Sequence, residues 1–325
     1  MRARWRRFAA ISFFLLPMLD IVAAWAQSYP THPVRLISDS APGSAIDVTM
    51  RIIAGGLDQV WGQQGVVINQ PGAGGAIAVH NVSTATPDGY TLGMIALSAF
   101  VAAPGSADNL PVQVPKDFIP IGYLGGAPLF VTAAPWVGVK TLPELIDKAK
   151  QEPGKLAYGA NGVGRLTHLT GELLQSRAGI KLLMVPYSGG TTAVLNDMMG
   201  GRIALTFDSY SGIAGAVSAG TAVPLAVASV RRLPNFPNVP TVAETLPGFA
   251  AVGWQVLVAP PGTPDAVVQK ANADLIKVAT DPEIIKRLAS FGREGIPMSP
   301  AETLAFIEDE QKKWAPIVNQ IGVSR

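Results

Sequence analysis

Val34-Arg35-Leu36-Ile37-Ser38, then Ala41-Pro42-Gly43-Ser44-Ala45-Ile46-Asp47, then a run from Val48 to about Trp61: this stretch decides the fold. The first five residues read as a strand and the Pro-Gly segment as a turn. The run after it reads as a helix, because Val48, Ile52, Ile53, Leu57 and Val60 recur at helical spacing. Val66-Val67-Ile68 is a continuous apolar strand of the kind that parallel sheets bury on both faces. Pro71-Gly72-Ala73-Gly74-Gly75 turns into a helix from about Ala76 to Ala85, and Pro87-Asp88-Gly89-Tyr90 turns into a strand from Thr91 to Ala96. The order β-α-β-α-β predicts a doubly wound α/β sheet.

The same logic returns downstream. Strands are expected at Leu129 to Thr132, Lys155 to Tyr158, Leu182 to Pro186, Ile203 to Phe207 and Pro224 to Ser229. Thr141-Leu142-Pro143-Glu144 is a capping box that opens a helix to about Lys150. Further helices are expected from about Leu166 to Arg177 and from Thr191 to Met199. Thr263-Pro264, Asp281-Pro282 and Ser299-Pro300 each pair an N-cap residue type with proline at the first helical position. Crossovers near Gly125-Gly126-Ala127 and Gly253 to Val256 predict two domains. One is discontinuous, residues 28–125 with 256–325, and the other is 126–255. The cleft between them is the expected ligand site.

The amino terminus has a different composition. Arg2, Arg4, Arg6 and Arg7 precede the apolar run Phe8 to Leu19, and Ala24-Trp25-Ala26 has the small-x-small form of a cleavage site. This layout predicts a secretory signal peptide over residues 1–26, cut before Gln27. The run is about 12 residues, short of the ~20 that a spanning helix needs. The chain has 25 Lys and Arg against 23 Asp and Glu; the leader takes four arginines and Asp20, leaving 21 against 22. The basicity therefore belongs to the leader and does not point to a nucleic-acid partner.

Cysteine is absent, which excludes disulfides, thiol nucleophiles and thiolate metal sites. His32, His80 and His168 have no metal-ligand spacing, there is no Gly-x-Ser-x-Gly elbow, and no phosphate loop ends in Gly-Lys-Ser/Thr. No catalytic group, metal or cofactor is expected. What remains is a set of strand-to-helix turns. Gly43-Ser44-Ala45, Gly162-Val163-Gly164-Arg165 and Ser188-Gly189-Gly190 occupy matching places, where helix amides lack an intrahelical partner and the helix dipole is positive. Two such turns across a cleft would grip an anion from both sides. Asp47 and Asp208 have two roles open to them, holding a loop or orienting a ligand donor. Arg165 could pair with a carboxylate or be solvated. His168 could touch the ligand, or cap and pack.

The residues resemble the Bug family, the TctC-like solute receptors of tripartite tricarboxylate transporters. The match runs in order through Tyr29-Pro30, Val34 to Ile37, Ala41-Pro42-Gly43 to Asp47, Pro71 to Gly75, Pro87-Asp88-Gly89-Tyr90-Thr91 and Lys116-Asp117-Phe118. It continues through Pro153 to Tyr158, His168-Leu169, Gly171-Glu172, Val185 to Gly189, Phe207-Asp208, Val239 to Glu244 and Ala259 to Pro264. The resemblance implies a two-domain Venus-flytrap fold of the type II periplasmic-binding class, with the ligand in the interdomain cleft. It implies a small carboxylate ligand (a dicarboxylate, amino acid or aromatic acid) held by backbone amides of loops that match Pro42 to Asp47, including Ile46, and Asn161 to His168. Ser98 and the Asp208 region match lining positions. The implied partners are the permease subunits of a tripartite transporter; a membrane sensor kinase is the alternative partner, and a monomer is the default state. Both loops depart from the family's usual pattern, the first at Ser44-Ala45-Ile46 and the second at Arg165 and Leu166. Ile46 and Leu166 would make the cleft narrower and more apolar, and Arg165 would add a direct charge partner. An aromatic or longer-chain monocarboxylate would then fit better than a small polar dicarboxylate.

Overall fold

The computed structural model describes residues 29–72, 75–101, 113, 116–187, 190–293 and 295–320. The leader lies outside them, as do Ser188 and Gly189.

Two five-stranded sheets carry the fold. The first is built from β1 (Val34–Ser38), β2 (Gly65–Asn69), β3 (Thr91–Ala96), β4 (Ile119–Pro128) and β10 (Val252–Ala259), in the order β2-β1-β3-β10-β4. The second is built from β5 (Phe130–Ala133), β6 (Ala157–Ala160), β7 (Leu183–Pro186), β8 (Leu205–Asp208) and β9 (Val223–Val227), in the order β7-β6-β8-β5-β9. The plan is the same in both. Three strands run parallel through helical crossovers, and a fourth, β10 or β5, is inserted antiparallel.

The helices are α1 (Ala45–Trp61), α2 (Ala76–Ser83), α3 (Leu97–Val101), α4 (Leu142–Gln151), α5 (Leu166–Ala178), α6 (Gly190–Met199), α7 (Tyr210–Ser218), α8 (Asp265–Ala279), α9 (Pro282–Ala289) and α10 (Pro300–Gln320). Local chemistry starts several of them where the sequence predicts. Thr141 caps α4 through Glu144 N, Asp281 caps α9 with Pro282 behind it, and the Ser299 and Glu302 side chains and amides bond reciprocally at the start of α10. Thr263 is an exception. Pro264 takes the N-cap position of α8, and the Thr263 hydroxyl donates instead to Pro260 O at 2.9 Å.

The chain changes sheet at Leu129, and the return strand lies beside the outgoing one. Leu129 N donates to Ala251 O, and β10 pairs antiparallel with β4 from Val252↔Pro128 to Ala259↔Ile119. One apolar core runs through this crossing. It joins Ile37, Ile95 and Phe100 of the first sheet side to Val131, Leu169 and Phe207 of the second, with Trp254, Ile307 and Trp314 among them. A separate core on the other face of the first sheet packs Met50, Ile53 and Leu57 of α1 against Leu36, Met94, Leu257 and the Leu275 and Val278 face of α8. Among the described residues no helix is long and apolar enough to cross a membrane.

Candidate functional site

The first loop is a closed turn built around a carboxylate. Ser44 is the N-cap of α1 and accepts from Asp47 N at 3.2 Å. Asp47 reaches back to accept from Gly43 N at 2.8 Å, and Gly43, at φ 74°, supplies the left-handed bend. Asp47 also accepts from Arg51 Nε at 3.0 Å and Asn69 Nδ2 at 2.8 Å. Burial pushes this carboxyl up, but the bonds from Arg51, Gly43 and Asn69 outweigh burial and hold it below the ordinary aspartate value. Asp47 therefore shapes the loop. Ile46 is half-buried beside it. Helix geometry leaves the first-turn amides of Ala45 and Ile46 without an intrahelical acceptor.

The second loop repeats this construction at the carboxyl edge of the second sheet. Asp208 ends β8 and is buried. It accepts from Ser209 N at 2.7 Å, from the Thr191 hydroxyl, and from Asn161 Nδ2 at 3.3 Å. Burial pushes its carboxyl up, and these donors pull it partly back. Asn161 N donates to Thr167 Oγ1 at 2.9 Å, which closes the loop onto the first turn of α5. Gly162 and Gly164 take φ values of 126° and 74°, conformations in which a side chain would be strained.

His168 also belongs to this loop. Its Nδ1 accepts from Gly164 N at 3.1 Å, so the ring is neutral with its proton on Nε2, and Glu172 Oε1 lies 3.8 Å from that nitrogen. This is a capping role. Burial lowers the His168 pKa, against an opposing pull from Glu172. As pH falls below the unfolded value of about 6.5, the unfolded chain binds a proton that the folded ring does not. Stability therefore drops, by at most about 1.4 kcal/mol per pH unit, until the lower folded pKa is reached. Melting curves from pH 8 to 5 should show the parent losing stability relative to His168→Gln over that window. Parallel pH profiles would show that the ring carries no such linkage.

Arg165 joins the two lobes. It is the N-cap residue of α5, and its side chain is only 19 % exposed rather than splayed into solvent. Nη1 donates to Ser98 Oγ at 3.0 Å and lies 3.5 Å from Asp39 Oδ2. Ser98, expected as a lining residue, sits on α3 immediately after β3. Asp39 was not among the sequence candidates. It follows β1 by one residue, at the carboxyl edge where open α/β sheets bind ligands, and that position was the available signal. A Cβ on Gly75 at the start of α2 would stand 3.1 Å from Asp39 Oδ2 and 3.6 Å from Arg165 Nη1, so the backbone closes tightly over the pair. Leu166 faces the crossover strand, with its Cδ2 3.1 Å from where a Cβ on Gly253 would be.

The structure thus groups Gly43, Ser44 and Asp47 in one turn, Asn161 with Asp208, Gly164 with His168, and Arg165 with Ser98 and Asp39. An open hollow of ≈ 440 Å³, lined by Arg35, Gln70, Asn81 and Thr84 among others, shares no residue with these loops. Among the described residues no three His, Asp or Glu side chains are placed to hold a metal ion.

Two lobes of identical strand plan, with loops closing on each other at the carboxyl edges, have the geometry of a binding protein. Residues 49–323 match the family described as tripartite tricarboxylate transporter family receptor. The chain belongs to that family. The receptor is 32% identical over 319 residues to the protein BugT of Bordetella pertussis, covering 98% of each chain. Among solved structures it is similar to a Rhodopseudomonas palustris protein with adipate, at 28% identity and TM-score 0.82 over 90% of this chain and 98% of that one. It is also similar to MatC from the same organism with bound malate, at 28% identity and TM-score 0.80 over 89% and 100%. The receptor is a periplasmic solute-binding protein of the type II flytrap architecture, from a family of receptors rather than enzymes.

Proposed function

We propose that the receptor captures a small carboxylate between its two lobes and presents it to the permease subunits of a tripartite tricarboxylate transporter. The 28–125 and 256–325 segments act as one domain and 126–255 as the other, with the boundaries inside the paired strands β4 and β10. Residues 1–26 act as the export signal, and the mature protein works as a monomer. The observation that carries the ligand reading is Arg165, a guanidinium from the second lobe lodged against the first. Its five N–H donors allow it to hold Ser98 and a ligand carboxylate together. The first-turn amides of α1 and α5 supply the remaining donors, and the helix dipoles favour the negative charge. Solved relatives hold adipate and malate, both carboxylates. Ile46 and Leu166 beside the loops favour a ligand with an apolar body, an aromatic or longer-chain monocarboxylate.

The test is thermal unfolding of protein recovered from the periplasm, against carboxylates paired with their amides. Ligand at 100 times its dissociation constant adds about 2.7 kcal/mol to the folded state, which raises the midpoint by a few degrees. A carboxylate should shift the melt and be recovered unaltered, its amide should not, and Arg165→Ala should weaken binding at least about tenfold. An Arg165→Ala protein that binds as tightly as the parent removes Arg165 from the ligand. Intact mass of the same sample locates the cleavage.

A further inference from the structure

The carboxyl edge of the first sheet holds buried acceptors that find no hydrogen-bond partner among the described residues. Asp39 is 2 % exposed, and neither of its carboxylate oxygens has a hydrogen-bond partner of ordinary geometry. Arg165 Nη1 stands at ion-pair distance, 3.5 Å from Asp39 Oδ2, and gives one of its two protons to Ser98. Burial pushes the Asp39 carboxyl up, and Arg165 and the nearby amides of Ala96 and Asp39 offset only part of that. Gln255 on β10 adds a second case. It is 1 % exposed, its register partner is Ala96, two residues before Ser98, and its Oε1 is also unmatched. Asp208, at the corresponding edge of the second sheet, has donors on both oxygens. In the second sheet the unmatched atom is the Thr132 hydroxyl on β5, so among the described residues Asp39 is the buried carboxylate without a partner.

A buried acceptor without a donor is costly, and a buried carboxylate more so. An isolated anion as ligand would not relieve it, because an anion brings further acceptors. A bound donor would. Arg165 and Asp39 set a cation and an anion 3.5 Å apart at the meeting of the lobes, which is the complement of a zwitterion.

We infer that Asp39 is the specificity-determining residue of the cleft, and that it accepts from an ammonium carried by the ligand next to the carboxylate held at Arg165. The ligand class is then an α-amino acid with an apolar side chain. This inference rests on the carboxylate reading above and narrows it. Arg165 selects the carboxylate, Asp39 rejects its deaminated analogue by being left unmatched, and Ile46 and Leu166 accommodate the side chain.

The experiment uses matched pairs that differ only in the amine: L-phenylalanine against 3-phenylpropanoate, and L-norleucine against hexanoate. L-phenyllactate serves as the hydroxyl control. Binding is measured calorimetrically on parent and Asp39→Asn protein from the periplasm. In the parent, each amino acid should bind at least about tenfold tighter than its deaminated partner and tighter than the hydroxy acid, because a charge-assisted bond is gained. In Asp39→Asn the preference should collapse. If that variant does not fold, the parent's matched pairs decide alone. Equal binding within the pairs, equal binding of the hydroxy acid, or a preference unchanged in Asp39→Asn overturns the role of Asp39 while leaving a carboxylate receptor. Binding of neither series overturns the carboxylate reading and this inference with it.

Discussion

Asp208→Ala should lower the stability of the receptor by about 3 kcal/mol and abolish ligand binding at ordinary concentrations. The carboxylate holds Ser209 N, the Thr191 hydroxyl and Asn161 Nδ2 in one enclosed cluster. Removing it strands up to three buried donors, at about 1–3 kcal/mol each. Two effects reduce the sum. Asn161 Nδ2 already lies 3.2 Å from Thr191 Oγ1, so these two can satisfy each other, and the desolvation burden of the carboxylate disappears with it. For a chain of this length ~3 kcal/mol corresponds to a drop of roughly 5–8 °C in the melting midpoint. Asp208→Asn keeps one acceptor and should cost about 1 kcal/mol. The binding defect should exceed the stability defect, because Asn161 begins the loop that ends at Arg165. A melting scan and a titration on the same preparation check both. An Asp208→Ala protein that melts within a degree of the parent would show that the loop is held by something else.

Asp47 and Asp208 follow one principle in the two lobes. Asp47 lies in the first turn of α1 and Asp208 ends β8, and each spends its oxygens on loop amides and side chains. The loops are thereby fixed before a ligand arrives, which reduces the ordering cost of binding. Arg165 and Asp39 are arranged differently, since each faces the opposite lobe.

The fold was legible where local chemistry and burial agree. The strands Val34–Ser38 and Thr91–Ala96 and the starts of α4, α9 and α10 stand where the sequence puts them, because apolar runs and capping residues act within a few positions. It was less legible where a distant contact decides. Gly159 falls just past the strand expected to end at Tyr158, yet it lies inside β6, and a Cβ there would stand 2.3 Å from Val194 Cγ1. The glycine lets α6 press onto the strand, and only the tertiary packing reveals it. Gly253-Trp254-Gln255 reads as a crossover and lies within β10, with Gly253 and Trp254 paired to β4 and Gln255 to β3. The helices Leu97–Val101 and Tyr210–Ser218 were not anticipated either. The first is entirely buried and too short to show a period. Within the site, the turn-forming residues were evident from their spacing, whereas the Arg165–Asp39 juxtaposition depends on how two lobes meet 126 positions apart in sequence.

Trp254→Ala should cost about 3–5 kcal/mol and should also weaken binding, although the ring and hydrogen-bond partners of the indole lie on α3 and α10. Trp254 is 1 % exposed on the strand that returns the chain between lobes. Its ring centroid lies 5.5 Å from that of Phe100 and 5.1 Å from that of Phe306, and its Nε1 donates to Glu310 Oε2 at 2.9 Å. Trp314 Nε1 donates to the same oxygen at 3.1 Å, so one carboxylate of α10 ties two indoles together. Truncation would leave a cavity where β10, α3 and α10 meet. Because Phe100 and Ser98 share the five residues of α3, a shift of that turn moves the hydroxyl that receives Arg165. Trp254→Phe separates the two effects. It retains the ring packing against Phe100 and Phe306 and gives up only the Nε1 bond, at about 1 kcal/mol, with Trp314 still holding Glu310. Affinity should therefore stay near the parent value in Trp254→Phe and fall in Trp254→Ala. Equal affinity in both variants, with stability lost only in the alanine variant, would mean that α3 keeps its position without the indole and that Ser98 is held by its own turn.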